Sequence, residues 1–192
     1  MKTIFLLLLF VISIHCYAPP FAENHLQKVQ EFNSAMTFLN RHIFIEAIAY
    51  SESRNNPMIV NSLGYVGLFQ FGEAARRVVG APIITKNDFR QDTITKKWYL
   101  KNIKIWPPEE QYLAMVRFME RNENILVQEI EQYSGKVICG ILVTKSGMLA
   151  AAHLAGTEGV KKFLRSNGQY NPHDLYDTKI TTYLLKFQNY QL

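Results

Sequence analysis

Cysteine is scarce in this chain: two residues, Cys16 and Cys139, in 192. A small fold stapled by disulfides is therefore excluded. Long apolar runs are also missing. The most hydrophobic stretch, Ile4 to Ile14, falls short of the roughly 20 residues a spanning helix needs, and a mean hydropathy of −0.07 excludes a polytopic membrane protein. Charged residues make up only 19%, with 21 Lys and Arg against 16 Asp and Glu and no single-sign block. That balance is too mild and scattered for a nucleic-acid-binding surface. No GxSxG, phosphate-binding loop or dinucleotide fingerprint occurs, so no cofactor is expected. His42 and Glu46 stand four apart but lack an HExxH context and a third ligand, so no metal site is expected either. What is present is globular composition: 48% hydrophobic and 12% aromatic residues. A chain of this size buries roughly 70% of its unfolded surface and needs no staple to fold.

The first segment, MKTIFLLLLFVISIHCYA, has one Lys ahead of a short apolar core, the pattern of a secretory signal peptide. An N-terminal anchor is the alternative. Cleavage after Cys16, Ala18 or Ala22 stays open, and His15 stands where lipidation of Cys16 would want a small residue. The domain is then 19–192, expected as an exported monomer, periplasmic or secreted, without a membrane span in its mature form. Removing residues 1–18 lowers the net charge from +5 to +4, which suits an anionic polymer. With cleavage after Cys16 only Cys139 remains, and its apolar setting VICGIL predicts a buried, unreactive thiol.

Apolar spacings of three and four predict an amphipathic helix over His25–His42, through Leu26, Val29, Phe32, Met36 and Leu39. Ile43 to Tyr50 continues apolar as far as Glu52, and Asn55-Asn56-Pro57 breaks it. A short helix is expected over Glu73–Val79 and another over Thr93–Trp106. A long one opens after Pro107-Pro108 and runs to Tyr133. Lys136–Val143 is β-branched but finds no strand partner, so it is read as helix or extended linker. Ser146 is expected to cap Met148–Ala155, followed by a helix over Gly159–Ser166, and Thr178 to cap the last helix. About eight helices and no paired strands make the fold mainly α.

The most informative stretch is AIAYSESRNNPMIVNSLGYVGLFQF, Ala47–Phe71. Glu52 closes an apolar helix. The negative end of the helix dipole and the apolar neighbours both favour its protonated form, which a glycosidase general acid requires. The glycines let backbone approach a ligand closely. Gln70 offers a donor and an acceptor in an apolar setting. A surface Glu ahead of a turn is the plainer alternative.

Glu52-Ser53, Asn56-Pro57 and Gly64-Tyr65-Val66-Gly67-Leu68-Phe69-Gln70 resemble the E-S-x-x-N-P … G-x-x-G-L-M-Q signature of the soluble lytic transglycosylases, in the lysozyme-like superfamily. The spacing of twelve from Glu52 to Gly64 agrees. LAAAHLAGTEGVKKFL, Leu149–Leu164, is similar to the A-Y-N-A-G segment, and Asp177 through Tyr183 to Tyr190 resembles the end of the same subgroup. The resemblance covers most of 40–190 and implies a lysozyme-like single domain acting on peptidoglycan glycan strands. Glu52 would protonate the bond between N-acetylmuramic acid and N-acetylglucosamine, then act as base on the C6 hydroxyl to give a 1,6-anhydro end. Asp88, Asp92, Asp174 and Asp177 remain possible second carboxylates, and water attack would make the enzyme a lysozyme. Where the family often carries Ser or Thr against the carboxylate, this chain has Asn61, with Ser62 beside it. The usual Met is Phe69, and the Tyr and Asn of the second block are His153 and Leu154. The candidate site is thus Glu52 as acid/base, with Asn61, Tyr65, Phe69, Gln70, His153 and Tyr183 toward the saccharide; Tyr50 would also line the groove. The rival classes are a non-catalytic wall-binding protein and a Cys139–His153 peptidase.

Overall fold

The computed structural model describes residues 20–192. The segment read as a signal peptide, 1–18, lies outside the described residues. The chain is mainly helical, as the spacing predicts. Helix α1 spans Pro20–Ser53, and the boundary between two compact units falls inside it, after Met36. In the first unit, Leu26, Val29, Phe32 and Met36 are all exposed. Helical spacing is present there, but among the described residues no buried face comes with it.

The second unit, Thr37–Leu192, holds the core. Phe44, Ile45, Ile48 and Ala49, at the end of α1, are buried. Beyond it come β1 (Ile59–Val60), α2 (Glu73–Val78), β2 (Phe89–Gln91) and β3 (Trp98–Leu100). Then follow α3 (Pro108–Ile125), α4 (Val127–Tyr133), β4 (Val137–Ile138), β5 (Ile141–Leu142), α5 (Lys145–Arg165) and α6 (Ile180–Phe187). Helix α5 is the centre of the packing. Its Ala150, Ala151 and Ala152 are fully buried; side chains this small let neighbouring elements come close. Helix α6 packs along it, and Phe187 meets Phe44 edge-on at 5.9 Å.

Several expectations are corrected. Thr93–Trp106 is not a helix. Asp92 Oδ1 accepts from the backbone N–H of Ile94 and of Thr95, an Asx turn that draws the donors away from a helix ladder. The chain reverses and returns as β3, the middle strand of the antiparallel sheet β1-β3-β2, and a 3-10 turn, Ile103–Ile105, ends the segment. Paired strands therefore exist. Lys136–Val143 is a hairpin, β4 on β5. Its turn residues Cys139 and Gly140 both have positive φ, 51° and 75°, the backbone that two-residue hairpins require. Cys139 is consequently exposed at a hairpin tip, not buried.

The long helix before Tyr133 divides at Leu126, which is fully buried and leaves helical geometry. The cap of α5 is Thr144, whose hydroxyl accepts from Gly147 N–H, and Ser146 bonds Thr144 instead. Gly156, at φ 71°, separates the two expected helical stretches inside α5. Helix α6 starts after Lys179 rather than under a Thr178 cap.

Candidate active site

Helix α1 ends by design of its last residues. Arg54 and Asn55 are both left-handed, φ 56° and 61°, and their N–H groups close back on Tyr50 O and Ala49 O. Ser53 Oγ lies 2.8 Å from Leu68 O and accepts from Asn56 N–H. Asn56 Oδ1 in turn accepts from Met58 N–H. The residues around Glu52 thus fasten the helix terminus to the loop that follows.

Gln111, fully buried on α3, completes that fastening. Its amide donates to Pro57 O and Trp106 O and accepts from Leu68 N–H at 2.7 Å. It also explains Gly67: a Cβ there would stand 2.2 Å from Gln111 Oε1, on a backbone at φ 81°. Arg76, buried on α2, donates to Phe71 O and Ile84 O. Burial holds its guanidinium below the ordinary value for arginine.

Into this frame Glu52 projects with 16% of its side chain exposed. Tyr183, on α6, donates its hydroxyl to Glu52 Oε1. His153, on α5, places Nε2 3.8 Å from the same oxygen and 2.9 Å from Phe69 O. A carbonyl only accepts, so the proton sits on Nε2. His153 Nδ1 is buried with no partner, walled by the rings of Phe71 and Phe118. Glu52 Oε2 has no hydrogen bond among the described residues. The carboxylate therefore has one held oxygen and one open one. Burial first, then the neighbouring Glu52 charge and the hydrogen bond, push the Tyr183 hydroxyl well above the usual phenol range, so Tyr183 stays a donor at any working pH.

A cavity of about 550 Å³ opens at this point, within the size range of ligand sites. Glu52, Asn61, Tyr65, Gln70, His153 and Tyr183 all line it. Two expected residues do not. Phe69 is core, 1% exposed, and contributes only its carbonyl, to His153; the backbone that positions Gln70 turns its neighbour inward. Tyr50 is exposed away from the cavity, under the guanidinium of Arg54.

The partners of the remaining residues sharpen the picture. Neither Asn61 nor Ser62 bonds Glu52. Asn61 Oδ1 accepts from Leu63 and Tyr65 N–H and shapes the turn, while Ser62 Oγ bonds Tyr176 Oη at 2.9 Å. The Gln70 amide nitrogen donates to Gly67 O and to Ile59 O, so its oxygen is the part of this cavity-lining side chain without a partner among the described residues. Of the four candidate second acids, Asp174 alone lines the cavity, and its Oδ1 accepts from Tyr176 and Thr178 N–H. Asp88 and Asp92 cap turns, and Asp177 faces His173 at the surface. Cys139 Sγ points to Asn167 O and does not line the cavity with His153. His42, offered with Glu46 as a ligand pair, bonds Tyr112 Oη at 2.6 Å.

Sequence reasoning offered Asp174 and Asp177 as possible acids but did not read the loop 174–178 as a wall, where Leu175, Tyr176 and Thr178 join Asp174 along the cavity. Its Asp-x-Tyr-x-Thr spacing marks an Asx turn. No protein-family model matches this chain, and no curated protein and no solved structure matches it.

Proposed function

We propose that this chain is an exported lysozyme-like enzyme that cleaves the β-1,4 bond between N-acetylmuramic acid and N-acetylglucosamine in peptidoglycan. The observation that supports this most is the asymmetry of Glu52: Oε1 is held by Tyr183 and faced by His153, and Oε2 is open at the cavity wall. Because Oε1 accepts the tyrosine proton, the acid's own proton belongs on Oε2. That is the oxygen placed to give it to a glycosidic oxygen.

In this reading Oε2 donates its proton to the departing O4 of N-acetylglucosamine as the C1–O4 bond breaks. The substrate's own acetamido oxygen supports the positive charge at C1. Oε2, now ionised, takes the proton of the C6 hydroxyl as that oxygen closes on C1, giving the 1,6-anhydro end and restoring the acid. One protein carboxylate suffices. Tyr183 holds the carboxylate through both half-steps, since its hydroxyl stays protonated.

Hydrolysis is the second reading, favoured by Asp174 on the same cavity. Its Oδ1 is occupied by backbone N–H groups, which counts toward a role in shaping the loop. Mass spectrometry of muropeptides released from purified peptidoglycan separates the two. Anhydro ends from the wild type and none from Glu52→Gln are expected. Reducing ends would transfer the proposal to a lysozyme with Asp174 as second acid. No release from several walls would leave a binding protein, and equal release by the variant would remove Glu52 from the role.

A further inference from the structure

Helix α1 buries one side near its end and is apolar on another. In the second unit Phe44, Ile45, Ile48 and Ala49 are buried, while Leu39 and Ile43 are exposed. At about 100° per residue, Leu39 and Ile43 fall on the side of the helix opposite that buried set. The same spacing runs back along α1 through Met36, Phe32 and Val29. All five side chains are between 39% and 65% exposed, so among the described residues the whole stripe stays uncovered.

The pattern is that of a helix seam. Steps of three, four, three and four residues from Val29 to Ile43 make a period of about 3.5, with Val29, Met36 and Ile43 at a and Phe32 and Leu39 at d. Glu46, at the next d, ends the run. β-branched residues at a, here Val29 and Ile43, with Leu39 at d favour two parallel strands. The flanking positions agree. Lys28, Ala35 and His42 stand at g, and Asn33, Asn40 and Ala47 at e. Parallel pairing sets each g against the following e of the other helix, so no like charges meet. Closing the seam removes on the order of 1,000 Å² from water over both helices, the size at which specific interfaces begin. A membrane surface is the poorer match. Interfacial helices carry a basic polar face, and between residues 20 and 43 the cations are Lys28 and Arg41, the latter paired with Glu123.

We infer that α1 pairs in parallel with α1 of a second copy through Val29, Phe32, Met36, Leu39 and Ile43, giving a two-fold dimer in place of the monomer expected from the sequence. The pairing is independent of the reaction proposed for Glu52.

Sedimentation equilibrium of the exported protein over about 1–200 µM should show the mass rise from one copy to two, since pairing follows mass action. Met36→Glu sets two carboxylates against each other in one layer of the seam and should weaken pairing about a hundredfold. Phe38→Glu is the control. It removes a ring that is 74% exposed but stands off the seam, so pairing should be unchanged. Melting curves at about 1 µM, where wild type and variants are all single, should coincide and exclude misfolding. In a Cys139→Ser background Met36→Cys should oxidise to a covalent dimer, because a parallel seam brings the two Cβ atoms close, and Phe38→Cys should not. The mass of one copy across the range overturns the inference. So does a dimer that Met36→Glu leaves intact, or one that Met36→Cys fails to cross-link. A protein that stays single in water yet sediments with phosphatidylglycerol vesicles, and loses that binding with Met36→Glu, assigns the stripe to a membrane surface and likewise overturns the dimer.

Discussion

Replacing Tyr183 by Phe removes one hydroxyl and little else. The ring keeps its contact with Phe187, 5.6 Å between centroids, and the position is 7% exposed. What is lost is the hydrogen bond to Glu52 Oε1. A bond to a charged acceptor is worth about 1.5–3 kcal/mol, and Glu52, only 16% exposed, recovers little of it from water. With that bond gone, Oε1 has no hydrogen-bond partner left among the described residues. Under the proposed function the rate should fall about ten- to a hundredfold, the equivalent of the hydrogen bond lost. The assay is turbidity loss of purified peptidoglycan at fixed pH, with thermal melts of both proteins as the control for folding. An unchanged rate, with the variant folded, would refute the claim that Tyr183 holds the carboxylate. A faster variant would reverse the sign of the interaction.

Three further outcomes follow from the same contacts. Because the folded-state hydroxyl of Tyr183 is raised above the unfolded value of about 10, its contribution to stability is intact below that pH and is lost as pH rises beyond it; urea midpoints from pH 9 to 11.5 should fall more steeply in the wild type than in Tyr183→Phe, by up to about 1.4 kcal/mol per unit. Gly67→Ala should cost about 2–4 kcal/mol in urea unfolding, combining overpacking with a left-handed backbone, and in a Gln111→Ala background the overpacking part, set by a Cβ 2.2 Å from Gln111 Oε1, should vanish. Tyr176→Phe breaks the exposed bond to Ser62, so it should leave the melting temperature within about 2 °C.

The helices were legible where apolar spacing persisted over several turns. Within the apolar run Ile43–Tyr50, Phe44, Ile45 and Ile48 are buried, and along the helix before Tyr133 the apolar residues Met115, Met119 and Leu126 are buried while Tyr112 and Val116 are only partly so. The sheet was not legible, because strands of two and three residues are shorter than any window in which alternation can be counted. The decisive local event there is a side chain, Asp92, taking two backbone donors. Cys139 was misread for a related reason. VICGIL is apolar by composition, yet Cys139 and Gly140 are the turn residues of a hairpin, and a turn exposes whatever occupies it. Phe69 shows the limit of a motif read by position. Leu68, Phe69 and Gln70 are consecutive, and nothing in their order says which of them faces the cavity until Gln70 adopts φ 49°.

The site itself divides along the same line. The residues near Glu52 in sequence, Ser53, Asn56 and Gly67, hold backbone: they fix the helix end, the turn and the approach to Gln111. The side chains that face the carboxylate come from far away, Tyr183 at a separation of 131 residues and His153 on the helix before it. Their placement depends on α6 lying along α5 and on Phe187 meeting Phe44. A local motif can therefore locate the acid, but the state of its two oxygens is a property of helix packing. It follows that a core substitution remote from the cavity, such as Phe187→Ala, should act on catalysis through Tyr183. Its cavity costs about 3–5 kcal/mol of stability, and in whatever fraction remains folded the rate should fall as it does in Tyr183→Phe. A variant that lost stability with its rate per folded molecule unchanged would separate the packing from the chemistry and count against this account.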